Sequence, residues 1–405
     1  PVARGHRGRA IASTNRKLNA CGAALSDEQI AAIEHMTEAS ALSCVVGLAG
    51  TGKSTLLDTA RRAWEAEGYA VYGASLAGKA ADGLQSASGI KSRTLASLEK
   101  SWQSGYEPIP PGSVLVIDEV GMVGTRQLSR IMAELDKRNC KAVLVGDPDQ
   151  LQPIEAGTPF RDVLARQKHA CLTEIRRQGA EWQRQASQDL AAGDLTAGLE
   201  AYAARGHVHE ARSTDHAITK LAASYLEDDT GEGSQLALAH RRRDVFALNQ
   251  AIRAGRKAAG HLEGEMLVET DHGARAFAMG DRVLFTRNDP AIGVKNGMLG
   301  TVEAIDGQTL RVALDDGHRR VQVSTTQYRA LDHGYAVSIH KSQGSTVDRT
   351  YVLGSKTLDQ HLTYVAATRH RTAMELCTTP GFSWQMAGHA MRAGRTVSRT
   401  LQRGM

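Results

Sequence analysis

Apolar positions along the chain fall into two textures. Short unbroken runs, Cys44–Val46, Ala70–Tyr72, Val114–Ile117 and Ala142–Val145, alternate with longer stretches of helical spacing, notably Thr55–Glu67 and Arg126–Arg138. Unbroken runs predict strands buried on both faces, and their alternation with helices predicts a parallel sheet covered by helices. A helix start is predicted at Ser26, where Asp27, Glu28 and Gln29 lead into the stripe Ile30, Ile33, Met36. The same alternation returns after Cys171, with strands expected at Gln235–Ala239, Ala336–Ile339 and Thr350–Leu353. From Gly264 to Asp332 the texture changes to short alternating runs, Arg282–Thr286, Gly300–Ile305, Leu310–Leu314 and Arg320–Val323. The pairs Asn296-Gly297, Asp306-Gly307 and Asp316-Gly317 mark turns between them. A small β-barrel inserted into the second α/β region is the expectation.

The resulting fold class is α/β, in two P-loop-type domains with parallel sheets. Residues 1–24 read as a basic arm or linker, and 25–170 as the first domain, with a short pin-like insertion at about 98–113. Residues 171–262 and 334–380 form the second domain, 263–333 the barrel, and 381–405 a basic tail. Composition adds little to this. The 405 residues include 49 Lys or Arg and 44 Asp or Glu, a net charge of +5, with 41% apolar residues. No stretch approaches the roughly 18 apolar residues of a membrane span, so no membrane insertion is expected. Five cysteines (Cys21, Cys44, Cys140, Cys171, Cys377) without a C-x-x-C spacing argue against a disulfide framework or structural zinc and fit a reducing, cytoplasmic setting. A first residue of Pro1 rather than Met is expected of a piece of a longer protein.

The strongest chemical signal is Gly47-Leu-Ala-Gly-Thr-Gly52-Lys53-Ser54, set between an apolar run and a helical stretch. Glycines at these positions let backbone N–H groups and a helix N-terminus surround a polyphosphate. The expected cradle is Gly47, Gly50, Thr51, Gly52, Lys53, Ser54 and Thr55, with the Lys53 ammonium at the β- and γ-phosphates and the Ser54 hydroxyl on Mg²⁺. Val114–Ile117 runs into Asp118 and Glu119, delivering two carboxylates at the C-terminal edge of a sheet, where ligands bind. Asp118 is expected to hold Mg²⁺ and Glu119 to activate the attacking water. The run Ala142–Val145 leads to Gly146-Asp147-Pro148-Asp149-Gln150, which places an amide where it senses the γ-phosphate; as an isolated tetrad, Gly-Asp-Pro-Asp reads simply as a turn.

Together with Leu172-Thr-Glu-Ile-Arg-Arg-Gln178, His340-Lys-Ser-Gln-Gly344 and Tyr364-Val-Ala-Ala-Thr-Arg369, these motifs resemble superfamily 1 DNA helicases of the RecD-like branch. The order is most similar to the helicase region of TraA-type conjugative relaxases, over about residues 25–380. The resemblance implies two RecA-like domains, ATP and Mg²⁺ as cofactors, and 5′ to 3′ movement on single-stranded DNA. It implies that Gln29 reads adenine, and that Arg177 and Arg369 are arginine fingers from the second domain. Gln343 and Gly344 would couple nucleotide to DNA; His340, Lys341 and Thr346 would lie near the DNA strand or the domain interface, and Lys79 and Thr94 would be DNA backbone-phosphate contacts on the first domain. Implied partners are single-stranded DNA, its junctions with duplex and the conjugation machinery, with the chain acting as a monomer. One departure is Ala77 in Ser75-Leu-Ala-Gly-Lys79, where the family often has Thr; either Ser75 or backbone amides replace that hydroxyl, or the contact is absent.

Aromatics are only 4% of the chain, so base-stacking platforms must be few. The candidates Trp102, Tyr106, Phe160, Phe285 and Tyr335 are each read first as core. The segment Trp102–Pro111 suits a loop or hairpin, and the family places a strand-separating pin there. His207-Val-His209 suits a short strand better than a metal pair, and no relaxase-like His cluster with a nucleophilic Tyr is evident. Rival readings are a DNA-binding or loading module that no longer unwinds, a RecD-like repair helicase, and a small-molecule P-loop kinase, which would leave the late arginine motifs unexplained.

Overall fold

The computed structural model describes residues 1–382 apart from Gln152, 154–156, Glu232 and His318; the basic tail expected at 381–405 lies almost wholly outside the described residues. The described chain divides into two units, one ending at Arg177 and the other beginning at Gln178.

The first unit runs α1 (Arg4–Asn19), α2 (Asp27–Met36), β1 (Leu42–Gly47), α3 (Lys53–Ala66), β2 (Val71–Ser75), α4 (Gly78–Ser88), β3 (Lys91–Thr94), α5 (Leu95–Gln103), β4 (Val114–Ile117), α6 (Thr125–Lys137), β5 (Lys141–Gly146), α7 (Pro159–Arg166) and β6 (His169–Leu172). All six strands pair in parallel, in the order β3-β2-β4-β5-β1-β6. Alternate residues of the central strands feed opposite cores. Val45, Val116, Val143 and Val145 meet Ile33, Leu56, Ala60 and Trp64 on one face. Cys44, Leu115, Ile117 and Leu144 meet Leu98, Leu128, Ile131 and Leu135 on the other. Unbroken apolar strands are the sequence trace of this two-sided burial.

Three boundaries differ from the sequence reading. Residues 1–24 are not a free arm: α1 buries Ala10 and Thr14, and the Thr14 hydroxyl hydrogen-bonds Thr59 on α3 at 2.8 Å. The boundary expected after residue 170 falls after Arg177, because β6 pairs with β1 as the sheet's edge strand. In the pin-like segment, residues 98–103 complete α5, and no strand forms between 104 and 113. The loop there is tied down by buried Ile109 and by an ion pair from Glu107 to Arg138, leaving Tyr106 63% exposed at its tip. Phe160, Phe285 and Tyr335 are core residues.

The second unit begins with α8 (Glu181–Ala191), α9 (Leu195–Ala203), β7 (Val208–Glu210), α10 (Thr214–Glu227), β8 (Gln235–Ala239) and α11 (Arg242–Ala258). An all-antiparallel excursion follows: β9 (Glu263–Thr270), β10 (Gly273–Met279), β11 (Arg282–Phe285), β12 (Leu299–Asp306), β13 (Thr309–Leu314), β14 (Arg320–Ser324) and β15 (Leu331–His333). The chain then returns through β16 (Ala336–Ser338), β17 (Val347–Gly354), α12 (Gln360–Ala367) and β18 (His370–Thr378). Its parallel sheet has the order β16-β8-β17-β18-β7. The excursion consists of the hairpin β9–β10 and a five-stranded sheet, β14-β13-β12-β11-β15, around one apolar core. Its mount is Asp281, fully buried, which accepts from the Arg253 guanidinium on α11, the Tyr335 hydroxyl at 2.6 Å and the Ala278 amide at 2.7 Å.

Candidate active site

The C-terminal edge of the first sheet gathers the expected phosphate residues. β1 ends at Gly47, and the loop to α3 turns through Gly50 (φ +86°) and Gly52 (φ +78°), both in the left-handed region that glycine adopts without strain. Space is equally restrictive. A Cβ on Gly50 would stand 2.6 Å from Cβ of Arg177, and one on Gly52 would stand 2.7 Å from Nε2 of Gln29. One on Gly47 would stand 3.0 Å from the Lys53 side chain. Lys53, the first residue of α3, donates to the carbonyls of Gly47 (2.8 Å) and Leu48 (3.1 Å), so its ammonium lies over the loop. The Thr51 hydroxyl also donates to the Leu48 carbonyl. Ser54 and Thr55 follow on the first turn of α3.

Asp118 directly follows β4, and its carboxylate accepts from the Glu119 amide at 2.9 Å. Burial pushes the Asp118 carboxyl up to about 6; neighbouring Glu119 adds to the rise and Lys53 opposes it. A buried carboxyl short of positive charge is the environment a divalent cation corrects. Glu119 has φ 55°, one of two non-glycine residues with positive φ among the described residues, and such backbone strain concentrates at functional sites. Next to it, β5 carries Asp147 and Gln150, both buried, with Gln150 Nε2 donating to Asp147 at 3.1 Å. A loop shaped for anions, a lysine, a helix-start hydroxyl and a buried carboxyl together fit a magnesium-bound nucleoside triphosphate.

Gln29 is committed on both ends. It forms the capping box with Ser26 at the start of α2, and its Nε2 donates to the Thr51 carbonyl at 3.1 Å. At 2% exposure it braces the phosphate loop. Beside it lies a cavity of about 490 Å³ lined by residues 24–28, Glu174 and Arg176. Arg177 corrects the sequence reading, which drew it from the second domain. It ends the first unit, and its backbone amide, like that of Arg176, donates to the Gly50 carbonyl (3.1 and 2.8 Å). Lys79 lies on the first turn of α4, after β2, while Thr94 ends β3 paired with Ser75, and its hydroxyl caps α5. Ser75 is fully buried, which disfavours it as a replacement for the missing hydroxyl at Ala77 and leaves the backbone at the start of α4, or no contact there.

In the second unit, His340 and Lys341 lie on a 3-10 turn after β16, followed by Gln343 and by Gly344 at φ +74°. Thr346 immediately precedes β17. The His340 ring stands 5.7 Å from that of His240. Burial lowers the Lys341 ammonium below its ordinary range, Asp332 opposing and Arg242 adding. Arg369 is 2% exposed at the end of α12, where its Nε donates to the Val365 carbonyl at 2.9 Å. His207 and His209 both meet Glu375 (2.7 and 2.9 Å), a partner from β18 that their own neighbourhood in sequence does not contain. Among the described residues no group of three or more His, Cys, Asp or Glu has a metal-holding arrangement.

A sequence profile of the AAA domain family matches residues 24–213. The probable conjugal transfer protein TraA of Sinorhizobium fredii is 46% identical over 349 residues, 86% of this chain and 32% of its own length. The ATP-dependent RecD2 DNA helicase of Deinococcus radiodurans is 28% identical over 92% of this chain and 52% of its own length. Over most of its length the chain is thus similar both to TraA conjugal transfer proteins and to a RecD2 DNA helicase. It spans about a third of the length of the TraA relatives it matches. The crystal structure of Bacteroides Pif1 bound to ssDNA shares the fold at TM-score 0.61 and 20% identity, covering 94% of this chain and 98% of that one.

Sequence reasoning missed two supports of this phosphate site. Glu28 clamps the segment after β6: its carboxylate accepts from the Thr173 amide (2.7 Å), the Thr173 hydroxyl (2.5 Å) and the Glu174 amide (3.1 Å). Burial alone would raise this carboxyl, but those donors outweigh it and hold it below the ordinary range. Asp147, read as part of a turn, is the buried acceptor that orients Gln150. No local pattern announces the first, since its partners lie about 145 residues away. The apolar run ahead of Asp147 was the one available hint of the second.

Proposed function

We propose that the chain is an ATP-driven DNA helicase segment moving 5′ to 3′ on single-stranded DNA and serving conjugative DNA transfer. The observation that carries the reading is the first unit's phosphate site: two left-handed glycines crowded against any added Cβ, Lys53 over the loop, and Asp118 with Glu119 at the adjoining strand end. Lys53 and the backbone N–H groups of residues 50–54 bind the phosphates. Ser54 and Asp118 hold Mg²⁺, which neutralises charge developing on the transferred phosphoryl group. Glu119 accepts the proton of the attacking water, and Gln150, oriented by Asp147, positions that water. Arg177, pinned by its backbone to Gly50, directs a permanently charged planar group at the triphosphate. Arg369 is the matching arginine of the second unit, and Gln343 with Gly344 links nucleotide to strand.

DNA contacts fall to Lys79 and Thr94 on the first unit, and to His340, Lys341 and Thr346 on the second. The antiparallel excursion is read as a small barrel. The conjugative role rests on the TraA likeness, at 45–46% identity. ATP hydrolysis measured with and without single-stranded DNA, beside strand displacement on tailed duplexes, tests the reading. DNA-stimulated hydrolysis with displacement supports it; hydrolysis without displacement means a translocating or loading module; hydrolysis indifferent to DNA overturns it.

A further inference from the structure

The positive charge of this chain sits at its ends. Residues 1–24 contain five basic residues (Arg4, Arg7, Arg9, Arg16, Lys17) and no Asp or Glu, which alone equals the net +5 of the whole. Residues 383–405 add Arg392, Arg395, Arg399 and Arg403, again without an acid. Removing these nine from 49 basic residues leaves 40 against 44 acidic ones, so residues 25–382 carry a net charge of −4. A solvated helix normally mixes both signs. The first 24 residues do not.

The helix bearing this charge is docked. Its inner face is held by Thr14 against Thr59, by the Arg62 guanidinium on Ser13 and Thr14 (3.1 and 2.6 Å), and by Glu67, which accepts from the Ala3 amide and bonds His6 (both 2.9 Å). Arg7 faces Glu34. Arg4 borders a recess with Glu34 and Glu38 and is left aside. Arg9, Arg16 and Lys17 are exposed and make no ion pair among the described residues. Arg9 and Arg16, seven residues and about 10 Å apart along the axis, lie on the side opposite Thr14. These three cations are borne on the helix that packs against α3, whose first residue is Lys53, and α1 lies outside the matched AAA domain segment.

We infer that Arg9 and Arg16 on the outer face of α1, with exposed Lys17 at the flank of its last turn, form a second DNA-backbone contact, an electrostatic grip on phosphates separate from the motifs of the motor. It rests on the DNA-helicase reading. Charge complementarity names the occupant: three unpaired cations on a rigid surface of an otherwise acidic body match a phosphodiester backbone, and neutralising phosphates releases counterions.

The test is the salt dependence of DNA binding by the full chain, using a 20-nucleotide oligo-dT and a 20-base-pair blunt duplex as probes. With three contacts, the triple variant Arg9→Gln/Arg16→Gln/Lys17→Gln should flatten the slope of log K against log salt by roughly 2 on the single strand and 2–3 on the duplex. Affinity at about 50 mM salt should fall tenfold or more, with maximal DNA-stimulated ATPase unchanged. A flattened slope on one probe only identifies which form of DNA the face grips. The charge-preserving Arg9→Lys/Arg16→Lys protein should keep the wild-type slope. Identical slopes for wild type and triple variant overturn the inference, as does equal loss in the lysine variant. Poly-glutamate binding that the triple variant loses, with DNA binding intact, overturns it in favour of an acidic protein partner. In each of these cases, DNA-stimulated hydrolysis shows that the helicase reading itself stands.

Discussion

At the scale of single residues, the site is defined by what cannot be changed. Lys53→Ala should lower ATP turnover at least 100-fold, because it removes the ammonium that the Gly47 and Leu48 carbonyls hold over the phosphate loop. Glu119→Gln should still bind ATP, measured with a fluorescent analogue, yet turn over at least 100-fold more slowly. Wild-type rates in either protein contradict the assignment. Gly50→Ala combines a left-handed backbone with a 2.6 Å approach to Arg177, and should cost about 1–3 kcal/mol in urea unfolding. Asp118 carries a pH signature. Its folded carboxyl titrates near 6 against 3.8 as a free group, so the folded protein holds an extra proton between those values. That contribution is complete below about pH 4 and is lost as pH rises through 6. In metal-free protein, Asp118→Asn should therefore lose less stability than wild type between pH 5 and 7.5; parallel unfolding curves would refute this. Most of these residues were legible in the sequence, because phosphate chemistry demands fixed residue types at fixed spacing. Glu28 and Asp147 were not, because their roles come from chain segments or burial that only folding supplies.

At the scale of elements, apolar runs located the central strands of the first parallel sheet and β8, β16 and β17 of the second, while β3, β6, β7 and the internal strand β18 escaped. β3 and β7 are short, half-exposed strands at sheet edges, where burial imposes no apolar run. The hairpin β9–β10 has only Val268 and Thr270 buried on its first strand, too sparse a pattern to read. α1 was mistaken for an arm because its inner face is only sparsely apolar: Ala10, Ile11 and Leu18 pack on the core, but Thr14 and Ser13 between them engage Arg62 where leucines would have announced a helix. Arg62→Ala should then weaken α1 docking by about 1–3 kcal/mol, seen as faster amide exchange across residues 4–19. Asp281→Asn should be costlier, about 2–4 kcal/mol, because it leaves Arg253 and two neutral donors around a buried amide. Unchanged exchange in the first protein, or an unchanged urea midpoint in the second, would show these bonds to be incidental.

At the scale of the whole molecule, two parallel-sheet units each present loop chemistry at one sheet edge, and ATP hydrolysis becomes motion only if the units respond to each other through nucleotide and DNA. The likeness to known proteins and the phosphate site concern the parts; the coupling between them is the central proposal. The steady-state rate of ATP hydrolysis by the intact chain, titrated with single-stranded DNA, tests it most directly. The account predicts a saturable stimulation of tenfold or more that Arg369→Ala abolishes, although Arg369 lies outside the phosphate-loop unit. A rate indifferent to DNA, or one that survives unaltered without Arg369, would contradict it.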